Sequence, residues 1–564
     1  MRQQLTSIRT LMQEAGIDWY IIPSSDFHGS EYVHDFFKSR EYISGFTGSA
    51  GTLLIGMEDA LLWTDGRYFL QAGKQLEGSG VTLMKQGEPG VPEIRAYLKD
   101  RLEASGGARV GFDGRVLSLH EAKKYLELPG VEIVWDLDPV DKIWPDRPQI
   151  KPSEIRELPL EVTGQTKDEK LAGIRAEMKN EGADYLLLSS LDEIAWTWNL
   201  RGDDVECNPV FFSFALITQT EANLYTMRDG TYEDVYGALA GIGENETLWL
   251  DGESASYALA QTAGQAKILD KHTPVQLMKA IKNPAEIAST TNAHIRDGAA
   301  MVNFLFWLKK QIGHVQMTEI DASDYLDAQR LAQGAFELSF PTIAGYGENA
   351  ALPHYQATEE HHALLEPEGF FLVDSGGQYP DGTTDITRTI ALGPLTDKMK
   401  EYYTLVLKSH IDLAMHRFKP GTTGKELDAI TRGPLLARDL DYNHGTGHGV
   451  GHVLNVHEGP QIINKRSELP FQPGMITSDE PGIYLEGEFG IRIENEILCE
   501  ESGDQYAFRT LTVCPYEREA ILPDMLTAEE RAWLNDYHQD VLTFLAPLLA
   551  SDVREWLAEV TAEI

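Results

Sequence analysis

Four histidines crowd the segment Asn443–Pro460 (NHGTGHGVGHVLNVHEGP), at positions 444, 448, 452 and 457. Sixteen histidines spread evenly over 564 residues would place only about 0.4 in the 14 residues from His444 to His457. Gly445, Gly447, Gly449 and Gly451 interleave them and remove side chains that would hold a ligand away. Such a cluster suits a metal or catalytic site. Carboxylates stand on either side of it. Gly369–Leu392 (GFFLVDSGGQYPDGTTDITRTIAL) holds two β-type runs separated by Gly376-Gly377 and Pro380-Asp381-Gly382. It reads as a hairpin, with Asp374 at the end of the first strand and Asp385 inside the second. Paired strands can present both acids on one face, where bare carboxylates repel and call for positive charge between them. Glu480 precedes Pro481, which forces extended geometry on it. In Phe489–Leu498, alternation puts Arg492, Glu494 and Glu496 on one face and Ile491, Ile493, Asn495 and Ile497 on the other.

Asp374, Asp385, His448, Glu480 and Glu494 together offer four carboxylates and one imidazole. A catalytic zinc site uses about three protein ligands and keeps a position open, so this set is too large for one ion. Two divalent metal ions about 3.5–4 Å apart, sharing carboxylates, would accommodate it. Oxygen-rich ligation favours Mn2+, while the imidazole admits Zn2+, Co2+ or iron.

The elements that must carry these residues are α/β in pattern. Leu5–Asp26 and Leu171–Asp192 align at a constant offset of 166, with eight of 22 positions identical. Each copy reads as an amphipathic helix (Leu5, Ile8 and Met12 in the first) stopped by a glycine and followed by an apolar strand. One α/β unit is therefore used twice. A proline-rich stretch, Trp144–Pro159, reads as a linker, and Lys282-Asn283-Pro284 marks a second break before a helical stretch from Ala285 to Ile312. These breaks divide the chain into 1–160, 161–284, a catalytic segment 285–500 and an extension 501–564. Composition is expected to return to helix after Cys499, with Thr527–Glu530 as a capping box and the extension packed on the catalytic segment.

With 48 Lys+Arg against 88 Asp+Glu the formal charge is −40. That excess argues against nucleic acid as a partner, and it serves mainly as a solvated surface. No stretch approaches the roughly 18 apolar residues of a membrane span. Arg2, Arg9, Glu14 and Asp18 occupy the place of a signal peptide's apolar run, so an unexported chain is expected. Cys207, Cys499 and Cys514 are too few for a disulfide framework and fit a reducing cytoplasm.

Asp374-(10 residues)-Asp385, His448 in HGTGHGVGH, Glu480 in SDEPG and Glu494 in GIRIEN closely resemble the pita-bread metallopeptidases, a family that includes methionine aminopeptidase, prolidase and aminopeptidase P. His354 in LPHY, the doubled α/β unit, Asp192–Trp196, Asn199–Gly202, Asn208–Phe212 and the tail near Trp533–Asn535 are similar to the three-domain aminopeptidase P group over nearly the whole chain. The resemblance implies two creatinase-like α/β domains followed by a pita-bread catalytic domain. It implies that Asp374 binds one metal, that His448 and Glu480 bind the other, and that Asp385 and Glu494 bridge both. A hydroxide between the ions would then attack the bond from an N-terminal residue to a following proline. Glu480 would relay the proton, His354 and His457 would polarise or hydrogen-bond the substrate, His444 would shape the pocket, and Arg492 would orient Glu494. Peptides with proline second are the implied substrates and a homodimer the implied assembly. A prolidase acting on dipeptides, and a peptide-binding scaffold without turnover, are the alternatives. Asp374–Gly377 lacks the surroundings of a serine-protease nucleophile, Gln461 stands where a zincin needs its second histidine, and Val450 spoils a dinucleotide loop.

Overall fold

The computed structural model describes residues 2–564, with only the backbone for Leu70. Two compact units emerge: one of Met1–Leu158, Thr166–Glu206 and Val210–Val275, the other of Pro159–Gln165, Cys207–Pro209 and Gln276–Ile564.

The first unit contains the duplicated α/β motif. Helix α1 (Gln3–Ala15) buries Leu5, Ile8 and Met12 and ends at Gly16, whose φ of 65° a side chain would strain. It leads into β1 (Trp19–Pro23). This strand lies inside a six-stranded sheet with β2 (Thr52–Gly56), β3 (Ala60–Thr64), β4 (Thr82–Lys85), β5 (Ala108–Phe112) and β6 (Val131–Val134), in the order β4-β3-β2-β1-β5-β6. In the second copy, α2 (Lys167–Glu181) buries Leu171, Ile174 and Met178 and stops at Gly182, φ 71°. There follow β7 (Tyr185–Leu188), β8 (Ser213–Thr218), β9 (Ala222–Thr226), β10 (Thr247–Leu250) and β11 (Lys267–Asp270), in the order β9-β8-β7-β10-β11. Each copy sets its first strand antiparallel to the next (β1 to β2, β7 to β8) and parallel to a later one (β5, β10). Identical residues at matched positions thus build matching topology. The helix positions are core positions: Leu5, Ile8, Met12, Ile174 and Met178 have no exposed surface, each stabilising by about 1.5–3 kcal/mol through burial.

The second unit opens with α3 (Pro284–Gln311). Asn283 Oδ1 accepts from the backbone N–H groups of Ala285 and Glu286, and Glu286 accepts in return from Asn283 N–H. This capping box with proline at the first helical position fixes the start of the helix. Three strands form one sheet: β12 (Ile343–Tyr346), β13 (Phe370–Ser375) and β14 (Ile386–Ala391). Helices α4 (Asp397–Met415) and α5 (Gly424–Leu436) come next, then a two-residue strand β15 (Gly447–His448). The chain continues through β16 (Ile476–Asp479), β17 (Gly482–Leu485), β18 (Phe489–Arg492), β19 (Asn495–Ser502) and β20 (Gln505–Thr510). Near its end come α6 (Ala528–Leu545), opened by the expected capping box at Thr527, and α7 (Ser551–Val560).

Two local expectations need correction. Asp385 lies just ahead of β14 rather than inside it, because pairing with β13 ends at Ser375 opposite Ile386. The intervening chain peels away as the short strands Gly377–Tyr379 and Gly382–Thr383, which pair elsewhere. Gly376 makes this possible: a Cβ there would sit 1.9 Å from Thr384 O. After Cys499 the chain also stays extended, since β19 runs on to Ser502, turns at Gly503 (φ 70°) and returns as β20. Among the described residues no helix is long and apolar enough to cross a membrane.

Candidate metal centre

Every element that carries a proposed ligand ends in the same place. On β13, Asp374 faces Thr387 of β14. The break between β18 and β19 leaves Glu494 free of strand pairing, yet its N–H still donates to Thr387 O at 3.1 Å. Its Oε2 accepts from Thr387 Oγ1 at 2.6 Å. β15 reaches His448 through Gly447, where a Cβ would lie 1.9 Å from Ser478 O. Only glycine lets the histidine loop approach the strand end that presents Glu480. His448 Nδ1–H donates to Gly449 O at 2.9 Å, so Nε2 is turned toward Asp385 Oδ2 (3.4 Å) and Glu480 Oε1 (3.7 Å). Asp385, His448 and Glu494 each offer one donor atom within 4.8 Å of the others.

Electrostatics show what the cluster lacks. Burial, followed by the carboxylates of Asp385, Asp374 and Glu480, pushes Glu494 well above the ordinary carboxylate range. Glu480 is raised to about 7, by burial first and then by Asp385 and Asp374, against the pull of His448 and Arg492. Asp374 is raised too, mainly by burial. His448 goes to about 9: burial opposes its charge, but Asp385 and Glu480 outweigh burial. Without cations, the cluster holds protons it would not otherwise keep. Asp374 Oδ1 is also buried with no hydrogen-bond partner, an arrangement that costs about 1–3 kcal/mol unless something binds there. The residues present therefore fit hard divalent cations, and two such ions bring four positive charges against four carboxylates.

Arg492 is the fixed positive charge at this cluster. Its Nη2 donates to Asp374 Oδ2 at 2.6 Å, Nη1 to Tyr484 Oη at 2.8 Å and Nε to Thr387 Oγ1 at 3.2 Å. The direct carboxylate partner of Arg492 is therefore Asp374, and Arg492 meets Glu494 by charge and through the shared Thr387 hydroxyl. His444 stands behind Tyr484. Its Nδ1–H donates to Gly445 O, leaving Nε2 to accept from the Tyr484 hydroxyl at 2.8 Å. Burial, with Arg492, Arg432 and His354 nearby, depresses His444 to about 3, so the ring stays neutral. The His457 ring stands perpendicular to that of His448, 4.4 Å between centroids. His354 lies exposed in the turn after Gly347–Ala351 and acts on His444 electrostatically. Thr387 and Tyr484 are absent from the sequence reading. Thr387 could have been found by continuing the alternation from Asp385; nothing in the sequence singles out Tyr484.

A cluster of four acids and an imidazole gathered at and just beyond strand ends, preceded by two copies of one α/β domain, defines a metallopeptidase. The chain belongs to metallopeptidase family M24, which residues 288–501 match. Residues 4–142 and 146–286 each match the creatinase/prolidase N-terminal domain, and 504–564 match the C-terminal region of peptidase M24. Among relatives, the chain is 36% identical to aminopeptidase P1 of Arabidopsis thaliana, covering all of this chain and 99% of that one. It is 40% identical to a probable Xaa-Pro aminopeptidase P of Talaromyces marneffei, over 96% and 88% of the two chains. The crystal structure of X-prolyl aminopeptidase from Caenorhabditis elegans, a cytosolic enzyme with a di-nuclear active site, superposes with a TM-score of 0.94 at 33% identity, over 100% of this chain and 99% of that one. A prolidase from Pyrococcus horikoshii matches 62% of this chain with a TM-score of 0.51 at 26% identity.

Proposed function

We propose that the protein is a metal-dependent aminopeptidase that hydrolyses the bond between an N-terminal residue and a following proline. The observation that carries this is the convergence of Asp374, Asp385, His448, Glu480 and Glu494 around a buried, unpartnered Asp374 Oδ1. In this reading Asp374, Asp385, His448, Glu480 and Glu494 would together hold two divalent ions, with Mn2+ the preferred metal. When bound, the two cations supply activation of water at neutral pH and polarisation of the scissile carbonyl.

This chain's own residues do the rest. Glu480, at the mouth of the cluster and restrained by Pro481, takes a proton from the attacking water and returns it to the departing proline nitrogen. That delivery matters here, because a proline nitrogen in a peptide bond carries no hydrogen and its departure requires one. His457, beside His448, and His354, beside His444, provide hydrogen bonds to the substrate carbonyl and the developing charge. His444, locked neutral, holds Tyr484, and Tyr484 holds Arg492 on Asp374.

Two further assignments accompany this one. Cytoplasmic residence is supported by three buried, unbridged cysteines and by a relative described as cytosolic. A homodimer is the assembly the family resemblance implies, and light scattering in solution checks it.

Activity on an Ala-Pro-Xaa peptide, abolished by chelation and restored by Mn2+, is the expected result. No cleavage with Mn2+ present would favour the scaffold. Cleavage of Gly-Pro but not of Gly-Pro-Pro would favour prolidase.

A further inference from the structure

Strand β14 has two faces. Thr387 and Thr389 point into the metal centre, where Thr387 Oγ1 bonds Glu494 and Thr389 Oγ1 donates to Arg492 O. Arg388, between them, points the opposite way and is 1% exposed. Its guanidinium donates to Glu494 O (2.7 Å), Thr387 O (2.9 Å), Asn495 Oδ1 (2.9 Å), Cys514 O (2.8 Å) and Pro515 O (3.1 Å), and more weakly to Tyr537 Oη (3.2 Å). Among the described residues no carboxylate lies within ion-pairing distance of it. A buried charge held only by neutral groups is expensive, and an apolar side chain of similar volume would serve packing alone at lower cost. What the guanidinium does supply is a bridge. One edge fixes the backbone of Glu494 and Thr387; the other is fastened to chain from the extension.

A second bridge runs parallel to the first. Tyr516 donates its hydroxyl hydrogen to His410 Nε2 at 2.9 Å and accepts from Asn495 Nδ2 at 2.7 Å. His410 Nδ1 lies 3.1 Å from both the carbonyl and the Oδ2 of Asp479, the residue before Glu480. The two tyrosine rings pack against each other tilted by 34°, 4.9 Å between centroids, and Tyr537 Oη also bonds Cys514 N and O. The extension therefore reaches behind both glutamate-bearing strand ends, through Arg388 to Glu494 and through His410 to Asp479.

We propose that Tyr516 and Tyr537 are positioning residues for the metal centre, acting through Arg388 and His410 to hold Glu494 and Glu480 at ligand spacing. The inference rests on the metal-centre reading above. Groups that orient ligands from behind typically change metal affinity or activity about 10–100-fold when removed. The test uses the full-length protein, stripped with chelator and titrated with Mn2+ by calorimetry, as wild type, Tyr516→Phe, Tyr537→Phe and the double variant. Phenylalanine keeps the rings and removes only the hydroxyls. Leu545→Ala serves as a control: Leu545 is fully buried on the same helix as Tyr537 and joins neither bridge.

The double variant should bind at least one Mn2+ about tenfold or more weakly, with far-UV circular dichroism unchanged. Its kcat on an Xaa-Pro peptide should fall while KM stays near wild type. Leu545→Ala should lower Tm yet leave Mn2+ affinity intact. Wild-type affinity in the double variant would overturn the inference alone, as would an equal loss in Leu545→Ala. A wild-type protein that binds no Mn2+ would overturn the metal-centre reading, and this inference with it.

Discussion

Among the described residues, two places bring carboxylates and an imidazole within reach of one ion, and they differ in exposure and in how far their donor atoms are already satisfied. In the first unit Asp251, Glu253 and His272 offer donor atoms within 4.8 Å of one another, as Asp385, His448 and Glu494 do in the second. The side chains of Glu253 and His272 are 65% and 64% exposed. Asp251 Oδ2 is bonded by His272 Nδ1 at 2.9 Å, and Asp251 Oδ1 by Glu253 N. These protein partners already satisfy Asp251, and His272 is raised as expected of a histidine bonded to a carboxylate. At the second place Asp385 and Glu494 are buried and His448 is mostly so, Asp374 Oδ1 has no partner, and three acids are driven above their usual range. Residue type makes a cation possible in both places. Desolvation makes it necessary in one.

The sharpest break in that contrast is Glu494→Ala. Losing this proposed ligand should release at least one ion and cost about 10³-fold in kcat, since a bound metal supplies several kcal/mol of transition-state stabilisation; metal analysis together with kcat measures it. A variant that keeps two ions and near-normal turnover would place the chemistry elsewhere. Thr387→Val keeps the shape but removes the hydroxyl that bonds Glu494 and receives Arg492 Nε. Mn2+ affinity should drop about 10–100-fold, read by calorimetry.

The raised carboxylates give a pH dependence with a definite sign. Glu480 at about 7, with Glu494 and Asp374 also raised, carries a proton in the metal-free protein that a cation must displace. Affinity for Mn2+ should therefore fall as pH drops below about 7, roughly tenfold per unit for each proton displaced. Titrations in buffers of different ionisation enthalpy should show net proton release; affinity unchanged between pH 6 and 8 would contradict the electrostatics. His448, raised to about 9, adds a second signature. A folded pKa above the unfolded value stabilises the metal-free protein fully below about 6.5, and that stabilisation is lost as pH rises through about 9. The smallest effect belongs to the other cluster: Glu253→Gln and His272→Ala should leave metal content and kcat/KM unchanged, with stability within about 0.5 kcal/mol. A lost equivalent of metal in either variant would erase the contrast.

Much of this was legible in the sequence because the signals were local. The doubled unit announced itself through Leu5, Ile8, Met12 and Gly16 against their counterparts, since helix period and helix stop are properties of neighbouring residues. The five proposed ligand positions stand out because each acid sits at a strand end or beside a glycine or proline that limits its backbone. Nonlocal facts were hidden. The peeling of the chain at Gly376, which moves Asp385 off the strand, depends on a close approach to Thr384 that no window of sequence contains. Arg492 lies at the cluster, where its directly bonded carboxylate is Asp374 and not the expected Glu494. Alternation tells which face a side chain takes, not which of two acids on that face it meets; Thr387 and the strand register decide that. The strand continuing past Cys499 was missed for a related reason. Tyr506 and Phe508 are only half buried, so β20 lacks a continuous apolar run.

The most direct measurement is a crystal structure grown with Mn2+, using anomalous scattering to locate the ions. Two anomalous peaks about 3.5–4 Å apart, enclosed by Asp374, Asp385, His448, Glu480 and Glu494, are the expected result. No peak there, or one at Asp251, Glu253 and His272 instead, would contradict the account.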